Sequence, residues 1–161
     1  MKLTVKKITM GGVMAALTFV LTYFPKVPVP GAGYVHLGDG AIFLSAMLLG
    51  PLSIASAAIG SALSDLIGGY AAYVLPTLII KALMALVAWK LYRAGSKPRA
   101  LLAFVAAELV MVGGYFAVEC FMYGTASAVA AILPNVIQGA AGVVLGMLGM
   151  LIMPRLEGAL R

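Results

Sequence analysis

The chain has 161 residues, 63% hydrophobic and only 10% charged, whereas soluble domains are about half apolar and a quarter charged. A soluble fold of this size could not hide so much apolar surface, so a soluble enzyme or binding domain is excluded. The composition instead predicts one integral-membrane domain over residues 1–161. The net charge of +6 does not signal nucleic acid, because nine of the eleven basic residues flank apolar runs: Lys2, Lys6, Lys7, Lys90, Arg93, Lys97, Arg99, Arg155 and Arg161. That is the distribution of cytoplasmic loops, with anionic lipid headgroups as neighbours.

In chain order, the first helix is predicted over about 8–24, followed by a Pro- and Gly-rich outer segment, 25–40. The apolar stretch 41–68 is interrupted by Gly50-Pro51, a pair that ends or kinks a helix. One long helix there would place the Lys90–Arg99 cluster outside. Two helices, about 40–50 and 52–69, place all nine flanking basic residues inside. The fourth, fifth and sixth helices follow at about 74–93, 99–122 and 127–153. The expected fold is therefore all-α, a six-transmembrane-helix bundle with both termini cytoplasmic. The runs lack the period-two alternation of a membrane β-barrel.

Polar residues inside these helices are the candidates for function, since an ionisable group at membrane depth needs a partner or a wet cavity. Lys81 sits roughly 10 Å below the outer end of its helix and shares a face with Tyr73, Thr77 and Met84. Snorkelling to the interface is the plainer reading for it, and a Lys81–Glu119 ion pair is the main competing one. Glu108, Tyr115 and Glu119 form a second stripe, while Asn135, Gln138 and Gly142 form a third. Asn135 and Gln138 serve equally well as interhelical hydrogen-bonding groups. Asp65 reads as a cap, an interfacial carboxylate or a ligand group. His36 and Asp39 flank the start of the second helix in "YVHLGDGAIF", where Asp39 also suits a helix N-terminus by ~0.3–1 kcal/mol. Asp39, Asp65, Lys81, Tyr115, Glu119, Asn135 and Gln138 all fall toward the outer half, which predicts one polar pocket opening outward.

In the first helix, Gly11 and Ala15, like Gly12 and Ala16, are four residues apart. Such a small-residue stripe admits close approach of another helix, within the bundle or from a partner. Neither a P-loop nor an H-E-x-x-H or Cys/His metal spacing occurs, so no metal and no cofactor are expected. The lone Cys120 excludes an internal disulfide.

Three segments carry a resemblance: "GYVHLGDGAIFLSAMLLGP", "IGSALSDLIGGYAAYVLPTLIIKAL" and "PNVIQGAAG". Together they resemble the substrate-binding S components of energy-coupling factor (ECF) vitamin transporters, in the subgroup handling riboflavin, hydroxymethylpyrimidine, thiazole or pyridoxine-type substrates. The resemblance implies a prokaryotic cell-membrane protein, not an enzyme. It would capture a small vitamin under the loop joining helices 1 and 2. It also implies docking of the helix 1 stripe (Gly11, Gly12, Ala15, Ala16) on a membrane T component that binds two ATPase subunits. Gly11 and Gly12 replace part of the alanine pattern usual there.

On this reading Tyr34, His36, Asp39, Lys81, Tyr115, Glu119, Asn135 and Gln138 form the substrate-binding set. The only tryptophan, Trp89, lies near the cytoplasmic end, so a pyridoxine-like or hydroxymethylpyrimidine ring is favoured over the broader flavin. The alternatives are a small intramembrane hydrolase using Asp39 and Asp65, or a purely structural membrane subunit.

Overall fold

A computed structural model describes residues 4–24, 26–28 and 34–160; Lys2, Arg161 and part of the outer segment lie outside the described residues. Six helices are present among them: α1 (Val5–Tyr23), α2 (Gly38–Leu49), α3 (Leu52–Ile67), α4 (Val74–Leu91), α5 (Lys97–Tyr123) and α6 (Thr125–Leu160). A short 3-10 turn, Ala71–Tyr73, leads into α4. Between α1 and α2 lies a small antiparallel pair, β1 (Val27–Pro28) with β2 (Tyr34–Val35). Two-residue strands leave no periodic signal, so this segment looks like a plain loop in the sequence.

The helices close into a ring in the order α1, α3, α4, α5, α6, α2, and α2 also touches α3 and α4. This central position explains how α2 can be so short. Twelve residues span only about 18 Å, well under the ~30 Å hydrocarbon core. Protein rather than lipid surrounds it, and eight of its residues from Gly38 to Ala46 are buried. Among the described residues, four helical segments are long and apolar enough to cross a membrane: α1, residues 71–91, α5 and most of α6.

Gly50-Pro51 does separate two helices. Gly50 has a φ of +58°, a conformation that glycine adopts without steric strain, and its carbonyl accepts the Ser53 hydroxyl at 2.6 Å. Small residues set the helix spacings elsewhere, because helix association in lipid relies on close van der Waals packing. A Cβ added at Gly60 of α3 would collide with the Ala15 carbonyl oxygen and approach Thr18 Cβ to 2.9 Å. One at Gly146 of α6 would lie 2.9 Å from Phe43 and 3.0 Å from Phe104, which stack with ring centroids 4.4 Å apart.

The small-residue stripe of α1 divides between two faces. Gly11 is buried against Leu52 and Ser56 of α3, and its carbonyl accepts the Ser56 hydroxyl at 2.8 Å. Ala15 lies against Gly60. Gly12 and Ala16 instead face the exterior, and a Cβ added at Gly12 meets nothing within 4 Å.

A polar cavity above a buried ion pair

The site is built at the end of the bundle that carries the β1–β2 pair. A cavity there has an empty volume of about 410 Å³, counting its open mouth. Aromatic walls come from Tyr34 on β2, Tyr70 and Tyr73 around the 3-10 turn, and Tyr115 on α5. Polar groups come from His36, Asp65 at the end of α3, Thr77 on α4, Glu119 on α5, and Asn135 and Gln138 on α6. Six residues of the expected binding set therefore converge here: Tyr34, His36, Tyr115, Glu119, Asn135 and Gln138.

Asp39 and Lys81 do not line the cavity; they lie beneath it, both fully buried and joined as an ion pair. Asp39 also accepts from the Gln138 side-chain amide at 2.7 Å, and Gln138 itself reaches the cavity. Lys81 completes its surroundings with Met84 sulfur at 3.9 Å and the Tyr115 ring at 5.7 Å. Snorkelling and a Lys81–Glu119 pair are both replaced by this arrangement. α2 packs against α4, which brings Asp39 to Lys81, while Glu119 is engaged by Tyr73. Asp39 also stands in the first turn of α2, where a carboxylate is favoured by the helix dipole, while its side-chain hydrogen bonds go to Lys81 and Gln138. Burying two charges is repaid only when geometry and further hydrogen bonds satisfy them, a condition Gln138 helps to meet.

Asp39 and Asp65 are not arranged as a shared-proton dyad. Lys81 and Gln138 engage both oxygens of Asp39, while Tyr34 donates to Asp65 Oδ1 at 2.5 Å. Glu119 Oε1 accepts from the Tyr73 hydroxyl at 3.3 Å. Thr77 and Tyr115 share a hydrogen bond of 2.9 Å. Glu108 lies on α5 against Gly139 and Gly142 of α6, away from the cavity lining, with both carboxyl oxygens unpartnered.

His36 is held by its own turn. The Gly38 backbone N–H donates to its Nδ1 at 3.0 Å, so the neutral ring carries its proton on Nε2. Burial lowers its pKa to about 3, with Lys81 and Lys26 acting in the same direction against Asp39. The Tyr34 hydroxyl is pushed well up, first by burial and then by Asp65. Lys26 stands over the Tyr34 and Tyr70 rings, 4.0 and 5.0 Å from their centroids. Burial lowers the Lys26 pKa and Asp65 opposes that shift.

Tyr70, Tyr73 and Thr77 complete the lining beyond the expected residues, together with Asp65, which the sequence placed in the pocket but outside the binding set. Tyr73 and Thr77 carried a signal, the four-residue spacing leading to Lys81. Tyr70 lies in a Gly-Gly-Tyr turn, which has no periodicity to read.

A family model described as "ECF-type riboflavin transporter, S component" matches residues 2–154. The chain belongs to that family. The resemblance drawn from the three segments agrees with this match, and the S component is a multi-pass protein of the plasma membrane that serves vitamin-type uptake. Among relatives, the "Thiamine precursor transporter HmpT" of Lactococcus lactis subsp. cremoris is 35% identical over 144 residues, covering 88% of this chain and 83% of its own. An uncharacterized protein of Pyrococcus woesei is 38% identical over 130 residues, covering 79% and 87% respectively.

Proposed function

We propose that this S component captures a small water-soluble vitamin precursor from outside the cell and passes it inward with a T component and two ATPase subunits. It performs no catalysis of its own. Both termini and the basic α4–α5 connection face the cytoplasm, as the positive-inside rule directs, and the cavity faces outward. The observation that carries this reading is the convergence of six expected polar and aromatic residues on one cavity at the end of the bundle away from that connection.

A hydroxymethylpyrimidine or pyridoxine-like ring is favoured, with riboflavin next. The cavity volume, even with its mouth, is at the small end of the ~300–1,000 Å³ typical of ligand pockets. Its aromatic surface is tyrosine and histidine without indole, and a relative is named a thiamine precursor transporter. Tyr34, His36, Tyr115, Glu119, Asn135 and Gln138 contact the ligand, while Asp39 and Lys81 hold Gln138 from beneath. Gly12 and Ala16 form the part of the stripe that docks on the T component, leaving Gly11 and Ala15 to the bundle.

Purifying the protein in detergent without added ligand, denaturing it and analysing the released compounds by mass spectrometry tests capture directly. A stoichiometric pyrimidine, pyridine, thiazole or flavin supports the reading. An empty protein whose melting temperature stays flat across a vitamin panel overturns it.

A further inference from the structure

Two carboxylates of the cavity lining each have an oxygen without a hydrogen-bond partner among the described residues. Asp65 and Glu119 are only 4% and 5% exposed, and both line the cavity. Each spends one oxygen on a tyrosine hydroxyl, from Tyr34 and Tyr73 respectively. Asp65 Oδ2 and Glu119 Oε2 are buried without a hydrogen-bond partner among the described residues. The nearby Thr77 hydroxyl is hydrogen-bonded to Tyr115 at 2.9 Å. Buried acceptors left unmatched are unfavourable, so a ligand that supplies donors at these two oxygens gains most.

The charge balance of the lining points the same way. Among the described residues that line the cavity there is no lysine or arginine. Lys81 is committed to Asp39 below, and Lys26 packs on the tyrosine rings without joining the lining. Four tyrosine rings favour a flat, electron-poor or cationic guest. His36, with Nδ1 occupied by the Gly38 amide, offers one N–H for a ring nitrogen or hydroxyl oxygen.

We infer that Asp65 and Glu119 are the specificity-determining residues of this site: they select a single-ring nitrogen heteroaromatic that presents N–H donors at two points, and they reject its phosphorylated form. This rests on the capture reading and names the chemistry of its ligand. An exocyclic amine or a protonated ring nitrogen supplies donors to the two unpartnered oxygens as the side chains turn to the ligand. A carbonyl in place of the amine sets acceptor against acceptor, and a phosphate monoester brings negative charge to a site with two carboxylates and no lining cation.

The test is isothermal titration of the ligand-stripped full chain in detergent. The probes are an aminohydroxymethylpyrimidine, its counterpart with a carbonyl replacing the amine, its phosphate monoester, pyridoxine and riboflavin. The carbonyl counterpart and the phosphate ester are expected to bind at least about 100-fold more weakly than the amine, as in sites whose buried polar groups are left unpaired by an analogue. Asp65→Asn and Glu119→Gln each present an amide in place of one oxygen and retain an acceptor for Tyr34 or Tyr73. Each is expected to lower amine affinity about tenfold or more and to narrow the amine-to-carbonyl ratio. A purely structural role would lower both affinities together. Equal binding of amine and carbonyl forms, or tighter binding of riboflavin or the phosphate ester, overturns the inference and leaves capture standing. Failure of every probe to bind overturns both.

Discussion

Gln138 donates to Asp39 Oδ2 at 2.7 Å, and that bond joins the lining of the cavity to an ion pair buried below it. Gln138 belongs to both layers: one part of it faces the site, while its amide nitrogen holds a carboxylate that Lys81 also holds. The charges are therefore placed to orient a lining residue from beneath. α2, α4 and α6 each contribute one member, so the three helices are fixed in rotation relative to one another.

Removing the cation alone should be severe. Lys81→Met leaves Asp39 as a buried carboxylate without its counter-charge, which typically destabilises by about 3–5 kcal/mol. Adding Asp39→Asn to the same protein should restore much of that loss, because no uncompensated charge remains. Thermal unfolding of the two single variants and the double variant in detergent gives the coupling directly. Additive effects would mean that the pair does not act as a unit.

Asn135 lines the cavity and takes part in no such pair. Asn135→Ala should weaken vitamin-precursor binding about tenfold, the scale of about 1.4 kcal/mol. Its melting temperature without ligand should stay close to that of the parent protein. Titration calorimetry beside a melting curve separates these quantities, and unchanged affinity would remove Asn135 from the binding set.

The division of the α1 stripe makes opposite predictions for neighbouring glycines. A side chain at Gly12 meets open space, so Gly12→Leu should fold and bind ligand normally yet fail to co-purify with the T component and ATPases. Gly11 already confronts Leu52 Cδ2 at 3.0 Å from an added Cβ, so Gly11→Leu should lower stability by about 1–3 kcal/mol through overpacking. Retained assembly in the Gly12 variant would move the docking surface elsewhere.

His36 gives the protein a pH dependence of definite sign. Its folded-state pKa, about 3, lies below the ordinary 6.5, so the unfolded chain binds the proton more readily. The stability contribution is intact above about pH 6.5 and is lost as pH falls from there toward 3, by at most about 1.4 kcal/mol per pH unit. Melting temperatures of the parent and His36→Gln proteins between pH 7 and 5 read this term. Parallel curves would show that His36 contributes no such slope.

Several features were legible in the sequence because they depend on local chemistry. Apolar run lengths gave the helices, and a Gly-Pro pair divided α2 from α3 because the backbone itself cannot continue a helix there. Polar residues fell toward the outer half of the helices, which pointed Tyr115, Glu119, Asn135 and Gln138 to one pocket, although Asp39 and Lys81, expected there too, lie beneath it. Tyr70 and the β1–β2 pair escaped because irregular backbone has no period.

Partner choice lay beyond the sequence. From sequence, depth in the membrane pointed Lys81 to Glu119, and only the packing of α2 against α4 brought Asp39 to receive its charge. The same dependence on packing sent Gly11 inward and Gly12 outward although both fit one small-residue pattern. Sequence by itself determined the membrane solvent, the helices and the kinds of group at the site, since these follow from burial propensity and helical period. Tertiary structure alone decided which charges cancel and which acceptors, Asp65 Oδ2 and Glu119 Oε2, lack a partner among the described residues, because hydrogen bonds and ion pairs act over a few ångströms between helices whose facing angles no single helix encodes.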